Sequence, residues 1–197
     1  MRRSSVRRSQ RAFRGTRSYD GTLIGVLKNK EGFVSQKATF AAGCFWGVEA
    51  AFRETPGVLG TRVGYTGGRT ENPSYEQVCS HTTGHAEAVE VEFDPDQISY
   101  DKLLDLFFAT HDPTQLNRQG PDVGDQYRTA IFVHDDAQKA AAEAAKVAHA
   151  KDFARPIVTE ITPASTFYEA EDYHQRYLEK RGMASCVIPG QEVVNSR

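Results

Sequence analysis

The chain is poor in the residues that build disulfide scaffolds and membrane spans. Among 197 residues there are three cysteines, one tryptophan and two methionines, and no apolar run approaches membrane-spanning length, which predicts a soluble protein. Cys44, Cys79 and Cys186 are odd in number and far apart, which disfavours a disulfide framework, a CxxC pair and a four-thiolate zinc site. A reducing compartment and one or two chemically active thiols fit better. Internal repeats are absent, and so is the apolar core of a signal peptide, so secretion is not expected. Six histidines are present. His81 and His85 lie four apart, but Thr82, Thr83 and Gly84 argue against a helix presenting both to an ion, and no metal is expected.

Acidic residues are scarce at the start. Residues 1–36 hold nine Lys and Arg against two acids, the first of them Asp20, while residues 37–197 hold fifteen against twenty-four. The Arg- and Ser-rich stretch "MRRSSVRRSQRAFRGTRSYD" reads as a disordered extension. An inert extension, a mitochondrial transit segment and a nucleic-acid-binding arm all fit its composition. Few of its apolar residues fall at helical spacing, and nucleic-acid binding is not its expected role. The expected location is the cytoplasm, with the mitochondrion as the alternative if the stretch is a transit segment.

The body is expected to be one domain over residues 37–197. "KATFAAG" reads as a strand ending in Gly43, and "VEAAFRET" as a helix stopped by Pro56 and Gly57. Residues 61–85, dense in Gly, Thr, Asn and Pro, predict one long loop, which in a compact domain is usually a working part. "AEAVEVEFDP" alternates like a half-buried strand. Ser99 caps a helix with Leu103, Leu104, Phe107 and Phe108 on one face. A second polar loop precedes a strand in "YRTAIFV", and Asp135 or Asp136 opens an Ala-rich helix. "PIVTEITPAS" reads as a strand and "YEAEDYHQRYLEKR" as a last helix. Strands and helices alternating irregularly about one core predict α/β or α+β in two layers.

Cys44 sits at the strand-to-helix junction. There the unpaired N–H groups and the positive helix end favour thiolate over thiol. Gly43 and Gly47 permit close backbone approach. Phe45 and Trp46 are either core aromatics or the walls of a small apolar pocket beside the sulfur. Tyr75, Tyr127 and Glu87 lie in or beside the loops. With an activated thiol they would supply hydrogen-bond donors and a proton source, the set needed when an electrophile is protonated as it is attacked. His174 in "DYHQRY" reads as a helix-face or core-edge residue.

The blocks "ATFAAGCFWGVEAAF", "GYTGG", "NPSYEQVCS", "TGHAEAVEVEFDP", "ISYDKLL", "HDPTQLNRQGPDVGDQYRTAIF" and "EDYHQRYLEK" occur in order from about Lys37 to Lys180. Together they closely resemble the peptide methionine sulfoxide reductase A family. The resemblance implies an α/β (α+β) two-layer sandwich with a mixed sheet and a ferredoxin-like core. It also implies reduction of methionine S-sulfoxide, free or in oxidised proteins. It makes Cys44 the nucleophile, Phe45 and Trp46 the walls that receive the methyl group, and Glu87 the acid. By the same resemblance Tyr75 and Tyr127 would orient the sulfoxide oxygen, and Asp122 would share their polar pocket. Cys186 is implied as the thiol that resolves a Cys44 sulfenic acid, with Cys79 structural and thioredoxin or another dithiol as external reductant to an enzyme holding no bound cofactor. A monomer is expected. One departure stands out: Asp125 occupies a position where a small threonine is more usual. Competing readings are a peroxide-reacting thiol protein, which needs neither the methyl pocket nor Glu87, and a nucleic-acid-binding module using the basic tail.

Overall fold

The computed structural model describes residues 27–28 and 34–183. A short strand β1 (Leu27–Lys28) and a long one β2 (Val34–Ala42) lead into helix α1 (Phe45–Arg53), which returns through β3 (Val58–Thr66). A one-turn helix α2 (Tyr75–Cys79), strand β4 (Ala86–Phe93) and helix α3 (Tyr100–Ala109) follow. A small hairpin of β5 (Arg118–Gln119) and β6 (Asp122–Val123) precedes a single 3-10 turn at Asp125–Tyr127 and strand β7 (Thr129–Val133). Helix α4 (Asp136–His149), strands β8 (Glu160–Pro163) and β9 (Tyr168–Glu169) and helix α5 (Tyr177–Lys180) complete the described chain. No helix among the described residues is long and apolar enough to cross a membrane.

The main sheet runs β8-β7-β2-β4-β3-β9, with β1 pairing on β2. Only β7 and β8 are parallel, so the sheet is mixed. Within it, β2-α1-β3-β4-α3-β7 with spatial order β7-β2-β4-β3 is the ferredoxin-like split βαβ arrangement that the resemblance implies. Period-two alternation turns Ala38, Phe40, Val63, Tyr65, Val89, Val91, Phe93 and Ile131 to one face, where α1 and α3 cover them. Phe40 stacks on Phe52 of α1 at 4.9 Å and on Phe107 of α3 at 5.4 Å, joining both helices to the central strand. Burying such a ring is worth about 1.5–3 kcal/mol, one share of a core to which both helices and the sheet contribute.

Local chemistry sets the helix ends. Ser99 accepts from the Lys102 N–H and Asp135 from the Gln138 N–H, satisfying donors that the first turn leaves open. Past the end of α3, His111 is sealed in the interior: its Nδ1 meets the Phe107 carbonyl at 2.8 Å and its Nε2 meets the Thr129 hydroxyl at 2.7 Å. Burial pushes this imidazole down to about 4, against the smaller opposing effect of the Phe107 bond, so the ring is neutral.

Three expectations need correction. The first is the domain edge, read from charge composition at Lys37. Strand β2 begins at Val34 and β1 pairs with it, because strand register reaches past the change in composition: Ser35 is buried and its hydroxyl donates to Glu92 at 2.5 Å. The remaining residues of 1–36, read as a disordered extension, lie outside the described residues.

The second concerns the long loop over residues 61–85, which is split between β3 and α2. Glycine-rich β3 persists as a strand because Gly60 and Gly64 lie on the face away from the helices, and at Gly64 a β-carbon would fall 2.3 Å from the Tyr168 carbonyl of β9. The third is the last helix. Only Tyr177–Lys180 is helical; Tyr168–Glu169 pairs with β3, and Arg176 adopts a left-handed φ of 52°. The intervening side chains bind neighbours instead: Gln175 accepts from the Val63 N–H and donates to the Val63 carbonyl, acting as one more rung on the edge of β3.

Candidate active site

The turn at Gly43 starts the site. Its φ of +92° suits glycine, and a β-carbon there would lie 2.7 Å from the Gln119 side chain. The β5–β6 hairpin therefore packs directly on the strand-to-helix junction. Cys44 follows as the N-cap of α1, at the end where first-turn N–H groups and the positive helix dipole gather. Gly47, expected like Gly43 to permit close backbone approach, lies inside α1.

Glu87 comes from β4, on the same face as Val89 and Val91, and so points under the start of α1. It is 2% exposed, and its Oε2 accepts the Phe45 N–H at 3.1 Å. Burial pushes its carboxyl up to about 8; the Phe45 bond opposes this and the nearby Asp122 carboxylate adds to it. At neutral pH Glu87 is therefore an uncharged acid. With Oε2 engaged by the peptide N–H, Oε1 is the oxygen left to hold a proton.

Tyr75 opens α2 and Tyr127 closes the 3-10 turn, and both phenols lie within electrostatic reach of the Glu87 carboxyl. Burial is the main cause that raises both above the ordinary tyrosine range, so each keeps its O–H. Asp122, on β6, raises Tyr127 as well as Glu87. The structure thus brings Cys44, Phe45, Glu87, Tyr75, Tyr127 and Asp122 to one place. Cys79 joins them: the Tyr75 hydroxyl bonds its sulfur, and burial holds its thiol up, so a residue read as merely structural borders the polar group. Cys186 lies outside the described residues.

Trp46 faces the C-terminal segment. Its indole N–H donates to His174 Nδ1 at 3.0 Å, and its ring lies flat on Tyr177 at 3.7 Å with 6° between planes. His174, read as a helix-face or core-edge residue, is 1% exposed and packs against Phe45 and Tyr75. Sequence reasoning also missed Tyr65 and Glu171. Tyr65 sits directly opposite Glu87 in the β3–β4 register, and its hydroxyl donates to Glu171 Oε2 at 2.9 Å. Glu171 Oε1 accepts the Tyr75 N–H at 2.9 Å. The alternation that marked β4 as a strand would have paired Tyr65 with Glu87, had β3 been recognised as a strand.

A split βαβ core with a cysteine at the first helix start and a neutral carboxylic acid against the next peptide points to a thiol-dependent oxidoreductase. Comparison with known proteins gives the family. The family described as "Peptide methionine sulfoxide reductase" matches residues 36–196. "Peptide methionine sulfoxide reductase MsrA" of Acidobacterium capsulatum is 58% identical over 154 residues, 77% of this chain and 99% of that protein. The protein of the same description from Methanosarcina acetivorans is 61% identical over 155 residues, 78% of this chain and 82% of its own.

Among solved structures, methionine sulfoxide reductase A of Corynebacterium diphtheriae superimposes with a TM-score of 0.74 at 37% identity, covering 89% of this chain and 86% of its own. Mxr1 from Saccharomyces cerevisiae in complex with Trx2 matches with a TM-score of 0.54 at 26% identity, covering 77% and 89%. The chain belongs to the peptide methionine sulfoxide reductase family and is an oxidoreductase that reduces methionine sulfoxide.

Proposed function

We propose that the chain reduces the S epimer of methionine sulfoxide, free and in oxidised proteins, with Cys44 as nucleophile and Glu87 as general acid. The observation that carries this reading is the neutral Glu87 carboxyl bonded to the peptide that follows Cys44. A sulfoxide sulfur is a poor electrophile until its oxygen accepts a proton. In this reading the Cys44 thiolate attacks sulfur while the Oε1 proton of Glu87 passes to oxygen. The oxygen then transfers to Cys44 as the substrate S–O bond breaks, leaving a thioether and a sulfenic acid. Tyr75 and Tyr127 donate to the sulfoxide oxygen, and Asp122 keeps the Glu87 proton in place. Phe45 and Trp46 receive the methyl group. The thioether product offers no oxygen, so these donors lose their partner and release is favoured.

The Cys186 thiol then condenses with the sulfenic acid, releasing water and forming a disulfide. A dithiol protein of the thioredoxin type reduces that disulfide by exchange; the yeast structure with Trx2 supports a partner of this kind. The enzyme needs no bound cofactor for these steps. The chain from β2 onward acts as one catalytic domain in a monomer, behind a basic N-terminal extension, and works in the cytoplasm. A single-turnover assay with each sulfoxide epimer, followed by mass mapping of the disulfide, tests the scheme. The expected result is one equivalent of S epimer reduced and a Cys44–Cys186 bond; reduction of the R epimer alone would overturn it.

A further inference from the structure

His81 follows α2 at the point where the chain turns left-handed, with φ of +60°, and its N–H bonds the Val78 carbonyl. Glycine ordinarily fills this place, because a β-carbon is crowded there. A histidine that holds a left-handed conformation after a helix calls for something that offsets its cost, and such outliers cluster at functional sites. The imidazole supplies the offset. Its Nδ1 lies 2.8 Å from Gln126 Oε1 and 3.6 Å from Asp125 Oδ1. An amide oxygen only accepts, so Nδ1–H is the donor.

The contact has a built seat. Gly124 lies beneath it with φ of +148°, and a β-carbon there would fall 2.1 Å from Gln126 Oε1 and 2.5 Å from His81 Cε1. Gln126 is 2% exposed, whereas half of the His81 side chain is open to solvent. Imidazole and amide therefore occupy the space that any side chain at residue 124 would take. Asp125, the position where the sequence departs from the family pattern, adds a carboxylate on the same side.

This contact joins the two segments that carry the phenols. Helix α2 starts with Tyr75, and the 3-10 turn ends with Tyr127. That turn is held internally by only a short span: the Tyr127 N–H bonds the Gly124 carbonyl at 3.1 Å and the Arg128 N–H bonds the Asp125 carbonyl at 3.3 Å. We propose that His81, through Gln126 and Asp125, is a positioning residue that clasps the 3-10 turn to α2, fixes the gap between the Tyr75 and Tyr127 hydroxyls, and thereby sets the affinity for the sulfoxide. The proposal rests on the reading of those two phenols as donors to the sulfoxide oxygen. His81 touches no substrate; it acts through the segments it joins.

The test is His81→Gly, which removes the imidazole while easing the backbone at its left-handed turn. The melting temperature is expected to hold or rise. Amide-exchange protection of Tyr127 and Arg128 falls about fivefold, the equivalent of one lost hydrogen bond. KM for methionine sulfoxide rises about threefold to tenfold, while the single-turnover rate at saturation stays within about twofold. Gln126→Leu raises KM similarly, and the double variant raises it no further than either change alone.

Unchanged protection at Tyr127 and Arg128 overturns the clasp. Lower protection with unchanged KM overturns its role in affinity, and so do additive effects in the double variant. A KM that rises only alongside a lower melting temperature marks a merely structural contact and also overturns the proposal. If Tyr75→Phe and Tyr127→Phe both keep the wild-type KM, the reading of the phenols fails, and amide protection alone then decides whether the clasp exists.

Discussion

The backbone N–H of Phe45 and the Oε2 atom of Glu87 lie 3.1 Å apart. One bond therefore fixes the acid to the peptide next to the nucleophile, and it leaves the other carboxyl oxygen to carry the proton. The two effects on Glu87 compete: the peptide N–H favours the carboxylate, and burial, which is larger, favours the acid.

Glu87→Gln tests the acid. The amide keeps the bond to Phe45 but has no acidic proton, so the single-turnover rate is expected to fall by about 10²- to 10⁴-fold. In the wild type the rate declines as pH rises through about 8, and the variant lacks that decline. Stability follows the same sign. A carboxyl whose folded pKa lies above its unfolded one contributes stability in full below the unfolded value and loses it as pH rises through about 8. Denaturation from pH 6 to 9 should show the wild type weakening and the glutamine variant holding.

Cys44→Ser and Cys186→Ser separate the two halves of the cycle. The first should fold as the wild type does and reduce no methionine sulfoxide. The second should still reduce one equivalent per enzyme molecule while cycling with thioredoxin stops. Continued cycling would move the resolving role to Cys79 or to an external thiol.

Glu171→Ala probes the support behind the phenols. It removes the acceptor for both the Tyr65 hydroxyl and the Tyr75 N–H. Leaving two donors unpaired is expected to lower stability by about 1–3 kcal/mol and to raise KM. Thermal unfolding and steady-state kinetics on the same preparation check both.

His111 predicts acid sensitivity remote from the site. Its folded pKa is depressed to about 4, so its contribution is complete above the unfolded value and is lost as pH falls from about 6.5 towards 4. The loss is about 3 kcal/mol by the usual conversion of a pKa shift. Urea denaturation at pH 7 and pH 4.5 should show it, and His111→Gln should flatten the pH dependence even if it lowers stability at pH 7.

Much of this was legible in the sequence, for identifiable reasons. Strong alternation found β4, and the serine and aspartate caps found α3 and α4. The junction at Gly43 and Cys44 was marked by a glycine followed by helical spacing. Where a segment's partners are remote, local pattern failed. Strand β3 looks like a loop because its glycines make room for β9 and Phe167, about one hundred residues away. Residues 168–176 look helical because their polar groups recur at helical intervals, yet Glu171, His174 and Gln175 spend them on α2, α1 and β3. The roles of Tyr65 and His174 were hidden for the same reason: each depends on what lies across the fold.

The stacking of Trp46 on Tyr177 also has an optical meaning. Trp46 is the only indole in the chain, so ultraviolet emission excited at long wavelength comes from one place, the seam between α1 and the segment that ends in α5. Its environment there is an imidazole at the ring nitrogen and a phenol ring across the face. Any departure of that segment strips both from the indole and changes the colour and intensity of its light. The protein thus carries a native lamp at the seam, readable on the stopped-flow timescale without a label.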